Sequence, residues 1–174
     1  MESNNKYSAP DVAELLDIYS KALDLLDDYD NDSLKRPKGV SSALPLDAEE
    51  CRDVIDKMRF ASDSDLFGKE KDDSFRGSIG NIFQTFGGAE LYPTFEEKAA
   101  NLLYFIVKNH SFLDGNKRIA ATLFLYFLSK NERLFGKAGE KKLSDEALVA
   151  TVLMIANSRP EDKELMISIV MNFI

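Results

Sequence analysis

The chain's single histidine lies in a short polar segment whose residue types suit phosphate chemistry. The segment runs His-Ser-Phe-Leu-Asp-Gly-Asn-Lys-Arg over residues 110–118. Histidine is the common general base of proteins, so His110 could accept a proton from a hydroxyl group. Asp114 offers the hard carboxylate oxygens that Mg2+ binds, and Gly115 allows a tight turn with close backbone approach. Arg118 adds a planar, permanently charged group that matches phosphate oxygens. These types indicate a general base, a metal ligand and a phosphate site.

The segment lies between the two most apolar stretches of the chain, residues 102–107 and 119–128. Polar groups between buried helices need hydrogen-bond partners, and loops in such places commonly bind or catalyse. The following helix is predicted to open at Asn116 and Lys117. Its first backbone N–H groups and the positive end of its dipole would form an anion site, to which Lys117 adds a mobile charge. Each residue alone has a structural explanation, since lone histidines and Gly-Asn turns are common; their joint occurrence favours function.

The segment resembles the H-x-F-x-[D/E]-G-N-[G/K]-R motif of the Fic/Doc (Fido) family. Members of that family move a phosphate-containing group from a nucleotide to a protein hydroxyl. The resemblance implies ATP as co-substrate and Mg2+ as cofactor, with His110 as general base, Phe112 as the hydrophobic anchor of the loop and Asp114 as the metal ligand. It also implies four residues that bind the nucleotide phosphates: Gly115, Asn116, Lys117 and Arg118.

The motif departs from the family pattern in ways that leave the transferred group open. Many members that transfer AMP have Gly where this chain has Lys117, and a second Arg where it has Ala121. Doc, which transfers the terminal phosphate, has Ala where this chain has Gly115. AMP transfer is our leading hypothesis, and Doc-like transfer of the γ-phosphate is the alternative.

A non-catalytic module that binds a nucleotide or an antitoxin is a third hypothesis. Many Fido proteins are restrained by a helix with the pattern [S/T]-x-x-x-E-[G/N], but no Glu of this chain is followed by Gly or Asn. The restraint is therefore absent, lies outside this segment or comes from a separate antitoxin chain.

The resemblance also implies a β-hairpin flap, on which the target protein would dock. Residues Ile79–Tyr92 fit such a flap, because they combine β-favouring side chains with a Gly-Gly turn signal. An alternative is a loop whose aromatic residues pack on the core. The predicted docking residues are Ile82, Phe83, Phe86, Gly87 and Gly88.

Hydrophobic periodicity and capping residues predict helices along the rest of the chain. Thr94 and Glu97 form a capping box, Asp47 and Glu50 have the same spacing, and Ser144 is a further cap. Residues 62–76 are charged and poor in large apolar side chains, which predicts a connection. The predicted helices are Pro10–Tyr29, Asp47–Phe60, Thr94 to Lys108 or Asn109, Asn116–Asn131, Ser144–Ser158, and Glu161 or Asp162 to Phe173. The predicted fold is all-α, a Fido-like helical bundle with a small β-hairpin flap.

Composition limits the remaining possibilities. With 174 residues the chain can form a domain with a substantial core, and its net charge of −8 argues against nucleic acid as the main partner. No apolar run approaches the ~20 residues needed to cross a bilayer, and the N-terminus lacks a signal-peptide pattern. The lone Cys51 excludes an internal disulfide and favours the cytoplasm. We expect the Fido core over residues 75–174, preceded by a helical extension and connection over residues 1–74.

Overall fold

A computed structural model describes residues 12–41 and 43–174. The chain divides into two compact units between Lys35 and Arg36. We predicted a boundary after residue 74, but residues 36–74 belong to the same compact unit as the motif. Within the described residues, no helix combines the length and apolar character needed to cross a membrane.

The first unit contains two short helices where the sequence predicted one. Helix α1 spans Val12–Ile18 and helix α2 spans Ser20–Asp30. Tyr19 separates them, because its backbone (φ −103°, ψ 12°) departs from the helical conformation. The predicted start at Pro10 lies outside the described residues. Neither helix buries a residue, and most of their large apolar side chains, such as Val12 and Leu26, are exposed.

The second unit is a helical bundle with one two-stranded antiparallel hairpin, as predicted. In the hairpin, Phe86 stands opposite Ala89. A 3-10 turn at Pro160–Asp162 precedes the last helix. The elements in chain order are α3 (Ala48–Arg59), α4 (Ser74–Phe83), β1 (Thr85–Phe86), β2 (Ala89–Glu90), α5 (Phe95–Asn109), α6 (Asn116–Lys130), α7 (Asp145–Asn157) and α8 (Lys163–Phe173).

Helix α5 is the centre of this unit and packs against α4, α6, α7 and α8. The predicted capping box at its start is present: the Thr94 side chain accepts from the Glu97 backbone, and the Glu97 side chain accepts from the Thr94 backbone. Most of the helix is buried, including Leu102, Leu103 and Ile106. Helix α6 contributes a second apolar surface to the same core. The two apolar helices therefore form the hub of the bundle, as their composition indicated.

Helix α3 is joined to the hub through Glu50, which we predicted to form a capping box with Asp47. The Asp47 side chain accepts from the Glu50 backbone N–H at 2.8 Å, which is half of a capping box. The Glu50 carboxylate does not complete the box, because it accepts from Lys130 Nζ and from the Tyr126 hydroxyl. At α7, Ser144 caps as predicted, accepting from the Ala147 backbone N–H.

The prediction of a hairpin beginning at Ile79 is wrong for its first five residues, which form the second half of α4. Ile82 is 1% exposed, and the Phe83 ring packs edge-on against the Phe127 ring. The buried residues Phe75, Ile79 and Ile82 recur at helical spacing, so core packing outweighs their strand propensity. The hairpin itself is limited to Thr85–Glu90.

The predicted turn of the hairpin is correct. Gly87 and Gly88 both have positive φ, +59° and +82°, which is the requirement of the type I′ turn that joins twisted strands. Of the five predicted docking residues, Phe86, Gly87 and Gly88 therefore lie on the hairpin, whereas Ile82 and Phe83 lie in α4.

Candidate active site

The polar segment of residues 110–118, called the motif loop below, joins α5 to α6. His110 ends α5 with a left-handed backbone (φ 48°, ψ 46°), and its side chain is exposed. A residue other than glycine in this conformation costs on the order of 1 kcal/mol, and such strain is concentrated at functional sites. The backbone turn therefore leaves the imidazole accessible at the end of a buried helix.

The Asn116 side chain closes the motif loop on itself. Its Oδ1 accepts from the Phe112 backbone N–H at 2.9 Å, and its Nδ2 donates to the Phe112 carbonyl at 2.8 Å. Both ends of the amide are thus used inside the loop. The donors of Asn116 that an anion could still use are its backbone N–H at the start of α6 and the second N–H of Nδ2.

Phe112 fixes the loop to the core. It is fully buried, and its ring centroid lies 5.0 Å from that of Phe75 in α4. The neighbouring Ser111 is also buried, and its Oγ accepts from the Ser74 hydroxyl at 2.7 Å. The position of Phe112 suits the anchoring role that the family resemblance implies.

Gly115 occupies a position that has no space for a side chain. Its φ is +89°, and a Cβ atom there would lie 2.3 Å from the Phe67 ring. Its carbonyl accepts from the Ile119 backbone N–H at 2.8 Å, which begins α6. Glycine is therefore required here both by backbone conformation and by packing.

A segment that we predicted to be a simple connection holds the motif loop. Residues 67–71, called the strap below, pair with the loop through three backbone hydrogen bonds. Gly68 donates to the Asp114 carbonyl at 3.1 Å, Lys71 donates to the Ser111 carbonyl at 2.8 Å, and the strap's Lys69 carbonyl accepts from the loop at 2.8 Å. The strap therefore fixes the backbone on either side of the predicted metal ligand.

Two arginines of α3 support the strap, and sequence reasoning missed both. Arg59 Nε donates to the Phe67 carbonyl at 3.1 Å, and Arg52 Nη1 donates to the Gly68 carbonyl at 2.9 Å. Arg52 also forms an ion pair with Glu70. Burial lowers the pKa of the Arg52 guanidinium from its usual value, but arginine remains charged near neutral pH. The one available signal was Phe67-Gly68, an apolar residue and a glycine inside a charged stretch.

The functional groups of the motif loop meet in one surface depression of about 360 Å³. Within the described residues, neither the strap nor the hairpin lines it. The Arg118 guanidinium lies 3.7 Å from the Asp114 carboxylate, and the two side chains are 61% and 40% exposed. Such an exposed pair contributes ~1 kcal/mol or less, so either group can exchange its partner. The lining residues are His110, Leu113, Asp114, Gly115, Asn116, Lys117 and Arg118.

The donor set fits Mg2+ only if a ligand supplies further oxygens. Within residues 12–41 and 43–174, no group of three or more His, Cys, Asp or Glu could hold a metal ion. Asp114 therefore offers a single half-exposed carboxylate at the depression. Mg2+ commonly binds through one or two carboxylates together with waters and substrate phosphates. The site suits that mode and does not suit a metal held by protein ligands alone.

The hairpin is held at its base and is open at its turn. The buried Lys98 in α5 donates through Nζ to the Glu90 carboxylate at 3.1 Å and to the Tyr92 carbonyl at 2.5 Å. Phe86 is 88% exposed. A Cβ atom at Gly88 would have no atom within 4 Å beyond its two neighbours in the chain, so the turn lies in open space.

Comparison with known proteins gives a family match. A model described as the Fic/DOC family matches residues 10–128, which include the strap and the whole motif loop and end within α6. The match begins well before residue 75, where we predicted the core domain to start. No curated protein and no solved structure matches this chain.

Proposed function

This chain belongs to the Fic/DOC family, and on that basis we propose that it transfers AMP from ATP to a hydroxyl group of a target protein. The observation that carries the proposal is the depression in which His110, Asp114 and Arg118 meet at the start of α6. A base, a carboxylate and a guanidinium around a helix N-terminus are the groups that nucleotidyl transfer requires.

In the proposed reaction, His110 accepts the proton of a Ser, Thr or Tyr hydroxyl. The hydroxyl oxygen attacks the α-phosphorus of ATP, an O–P bond forms, and the bond to the leaving pyrophosphate breaks. The N-terminus of α6, Lys117 and Arg118 would hold the phosphates during this step. Mg2+, when bound at Asp114, would neutralise charge on the phosphate oxygens.

The weak Asp114–Arg118 pair suits a change of partners on nucleotide binding. Both side chains are substantially exposed, and 3.7 Å separates their charged atoms. A cation that binds the carboxylate would release the guanidinium, which could then turn to the phosphates. The pair would thus keep both groups at the depression in the absence of nucleotide.

Doc-like transfer of the γ-phosphate is the second candidate, and the exposed Lys117 at the depression favours it. If the nucleotide binds in the reverse direction, the hydroxyl would attack the γ-phosphorus and ADP would leave. We favour AMP transfer because the packing of Phe67 on Gly115 excludes the alanine that Doc has at this position. Membership of the Doc-like subgroup remains a prediction.

We propose further that the target lies along the hairpin by strand addition, since β1 and β2 are exposed. A separate antitoxin chain would restrain the enzyme, and the lone, fully buried Cys51 is consistent with a cytoplasmic protein. An antitoxin could bind an enzyme or a non-catalytic module, so modification of the target is what distinguishes the two roles.

A labelling assay tests the reaction. The protein is incubated with Mg2+ and cell extract, in parallel with ATP labelled at the α-phosphate and ATP labelled at the γ-phosphate. We expect protein label from the α position alone, and label from the γ position alone would identify a kinase. His110→Asn should abolish labelling while tolerating the left-handed backbone of this position.

A matched control separates lost chemistry from a disturbed backbone. Glu132 also has a left-handed backbone (φ 57°) and is exposed outside the motif loop. His110→Ala should abolish labelling, whereas Glu132→Ala should retain it. If no label enters protein, or His110→Asn labels as well as the unaltered chain, the catalytic proposal fails and a binding module becomes the better hypothesis.

A further inference from the structure

The Phe67 ring contacts two residues of the motif loop at once. The Arg118 Cζ atom lies 4.6 Å from the ring centroid, within the range of a cation–π contact. Another part of the same ring fills the space beside Gly115, where a Cβ atom would lie 2.3 Å away. Phe67 itself is 1% exposed. A buried aromatic face therefore lies beneath an arginine whose side chain is 61% exposed.

The backbone that carries this ring is hydrogen-bonded both to α3 and to the motif loop. The Phe67 carbonyl accepts from Arg59 of α3, and the next residue, Gly68, donates its backbone N–H to the Asp114 carbonyl. The strap residue that carries the ring is thus bonded to the helix behind it and adjoins a bond to the loop in front. The backbone that carries the ring cannot shift without breaking one of these contacts, and the burial of the ring limits its rotation.

Arg118 needs such a support if it is to bind phosphate well. A long arginine side chain in water samples many rotamers, and this freedom is lost when it binds an anion. The ion pair with Asp114 is weak and would be given up if that carboxylate took a cation. The ring face would remain in contact, because it lies under the guanidinium and would not bind the metal ion.

We propose that Phe67 is a positioning residue for Arg118, which it holds in place to bind the outer phosphates of the nucleotide. The strap then belongs to the nucleotide site, although no strap residue lines the depression within the described chain. The inference rests on the proposed function, since it assumes that Arg118 binds phosphate.

The chain offers a matched control pair. Phe95 at the start of α5 is also 1% exposed, and the Arg133 Cζ atom lies 5.6 Å from its ring centroid. Arg133 is outside the motif loop. Phe95→Leu and Phe67→Leu therefore remove the same buried group and the same kind of contact, and only Phe67→Leu touches the proposed site.

Calorimetric titration with Mg·ATP and with AMP tests the inference. The variants are Phe67→Leu, Phe95→Leu, Arg118→Ala and the double variant of Phe67 and Arg118. We expect Phe67→Leu to weaken Mg·ATP binding about three- to thirtyfold, the range of a cation–π contact. Binding of AMP, which lacks the outer phosphates, should change less than about twofold, and Phe95→Leu should change neither. If Phe67→Leu does not fold, Phe67→Met gives a flexible side chain without an aromatic face.

The double variant decides between positioning and a general loss of structure. If Phe67 acts through Arg118, then Phe67→Leu has no further effect once Arg118 is Ala. Equal weakening in both backgrounds, or equal weakening for ATP and AMP, would overturn the inference. Unaltered Mg·ATP affinity in Phe67→Leu would overturn it as well and leave the proposed function standing. If the unaltered chain binds no nucleotide, the proposed function fails first and the inference with it.

Discussion

The motif loop and the hairpin each contain a glycine with positive φ at their turn, but one glycine is tightly packed and the other is not. Gly115 (φ +89°) lies against the Phe67 ring, whereas Gly88 (φ +82°) faces open space. The loop is fixed by Asn116, by the strap and by the core, while the hairpin is held at its base by Lys98. The backbone that carries the groups that we propose to react is therefore fixed at several points. The segment that we propose to meet a target is left free to adapt.

The two glycines provide the strongest test of this contrast. Gly115→Ala should lower the free energy of unfolding by about 2–5 kcal/mol, because it combines a left-handed backbone with overpacking against Phe67. Gly88→Ala meets only the backbone cost and should lose about 1–2 kcal/mol. Urea denaturation of both variants measures the difference. Equal losses would mean that the ring of Phe67 yields easily and that the loop is not rigid.

The internal closure of the loop gives the next largest effect. Asn116→Asp keeps the acceptor for the Phe112 N–H but removes the donor to the Phe112 carbonyl, which should cost about 1–3 kcal/mol. The matched control is Asn157→Asp, since Asn157 Nδ2 donates to the Leu153 carbonyl on an exposed helix end. There water can replace the lost bond, and the cost should stay well under 1 kcal/mol. Similar losses in the two variants would contradict a closed loop.

Local chemistry was enough to predict the parts of the site that depend on neighbouring residues. The capping box of Thr94 and Glu97 begins α5, and Ser144 begins α7, because each cap satisfies backbone groups only three residues away. The apolar composition of α5 and α6 marked them as the hub of the fold. The motif itself pointed to the family, which the match over residues 10–128 establishes.

The parts that were missed depend on contacts distant in sequence. The strap is a charged segment, and apart from Phe67-Gly68 its composition gives no sign that it pairs with a loop about 40 residues later. The Gly68–Asp114 hydrogen bond is one such contact. Ile79 and Ile82 favour strands locally, but in α4 they are buried together with Phe75 at helical spacing. Asn116 was predicted to belong to the anion-binding turn, and nothing in the sequence indicated that its side-chain amide also bonds to the backbone of Phe112.

The independence of the hairpin from the motif loop can be tested by removing the Lys98 side chain that holds its base. Lys98→Met should cost about 1 kcal/mol, because the Tyr92 carbonyl loses its donor whereas Glu90 is 45% exposed and can be solvated by water. Hydrogen exchange should then quicken over residues 85–92 and stay unchanged over the motif loop. Lys141→Met, which removes an exposed pair with Asp145, is the control that should alter neither segment. Faster exchange in the motif loop would show that the two regions are coupled rather than independent.

The smallest effect concerns Cys51, which lies in α3, the helix that supports the strap. Burial, reinforced by the nearby Glu50, raises the pKa of its thiol from 9.0 to about 12. The folded state therefore holds this proton more tightly than the unfolded state. The resulting stability is complete below pH 9 and is lost as pH rises towards 12. Cys51→Ala should remove that share of the alkaline decline, measured as the difference between the urea denaturation midpoints at pH 8 and pH 10.5.

At pH 8, iodoacetamide should leave native Cys51 unmodified and should modify a cysteine introduced by Phe86→Cys, because Phe86 is 88% exposed. Rapid modification of native Cys51 would mean that α3 opens readily, and the rigid support that we assign to the strap would then be wrong.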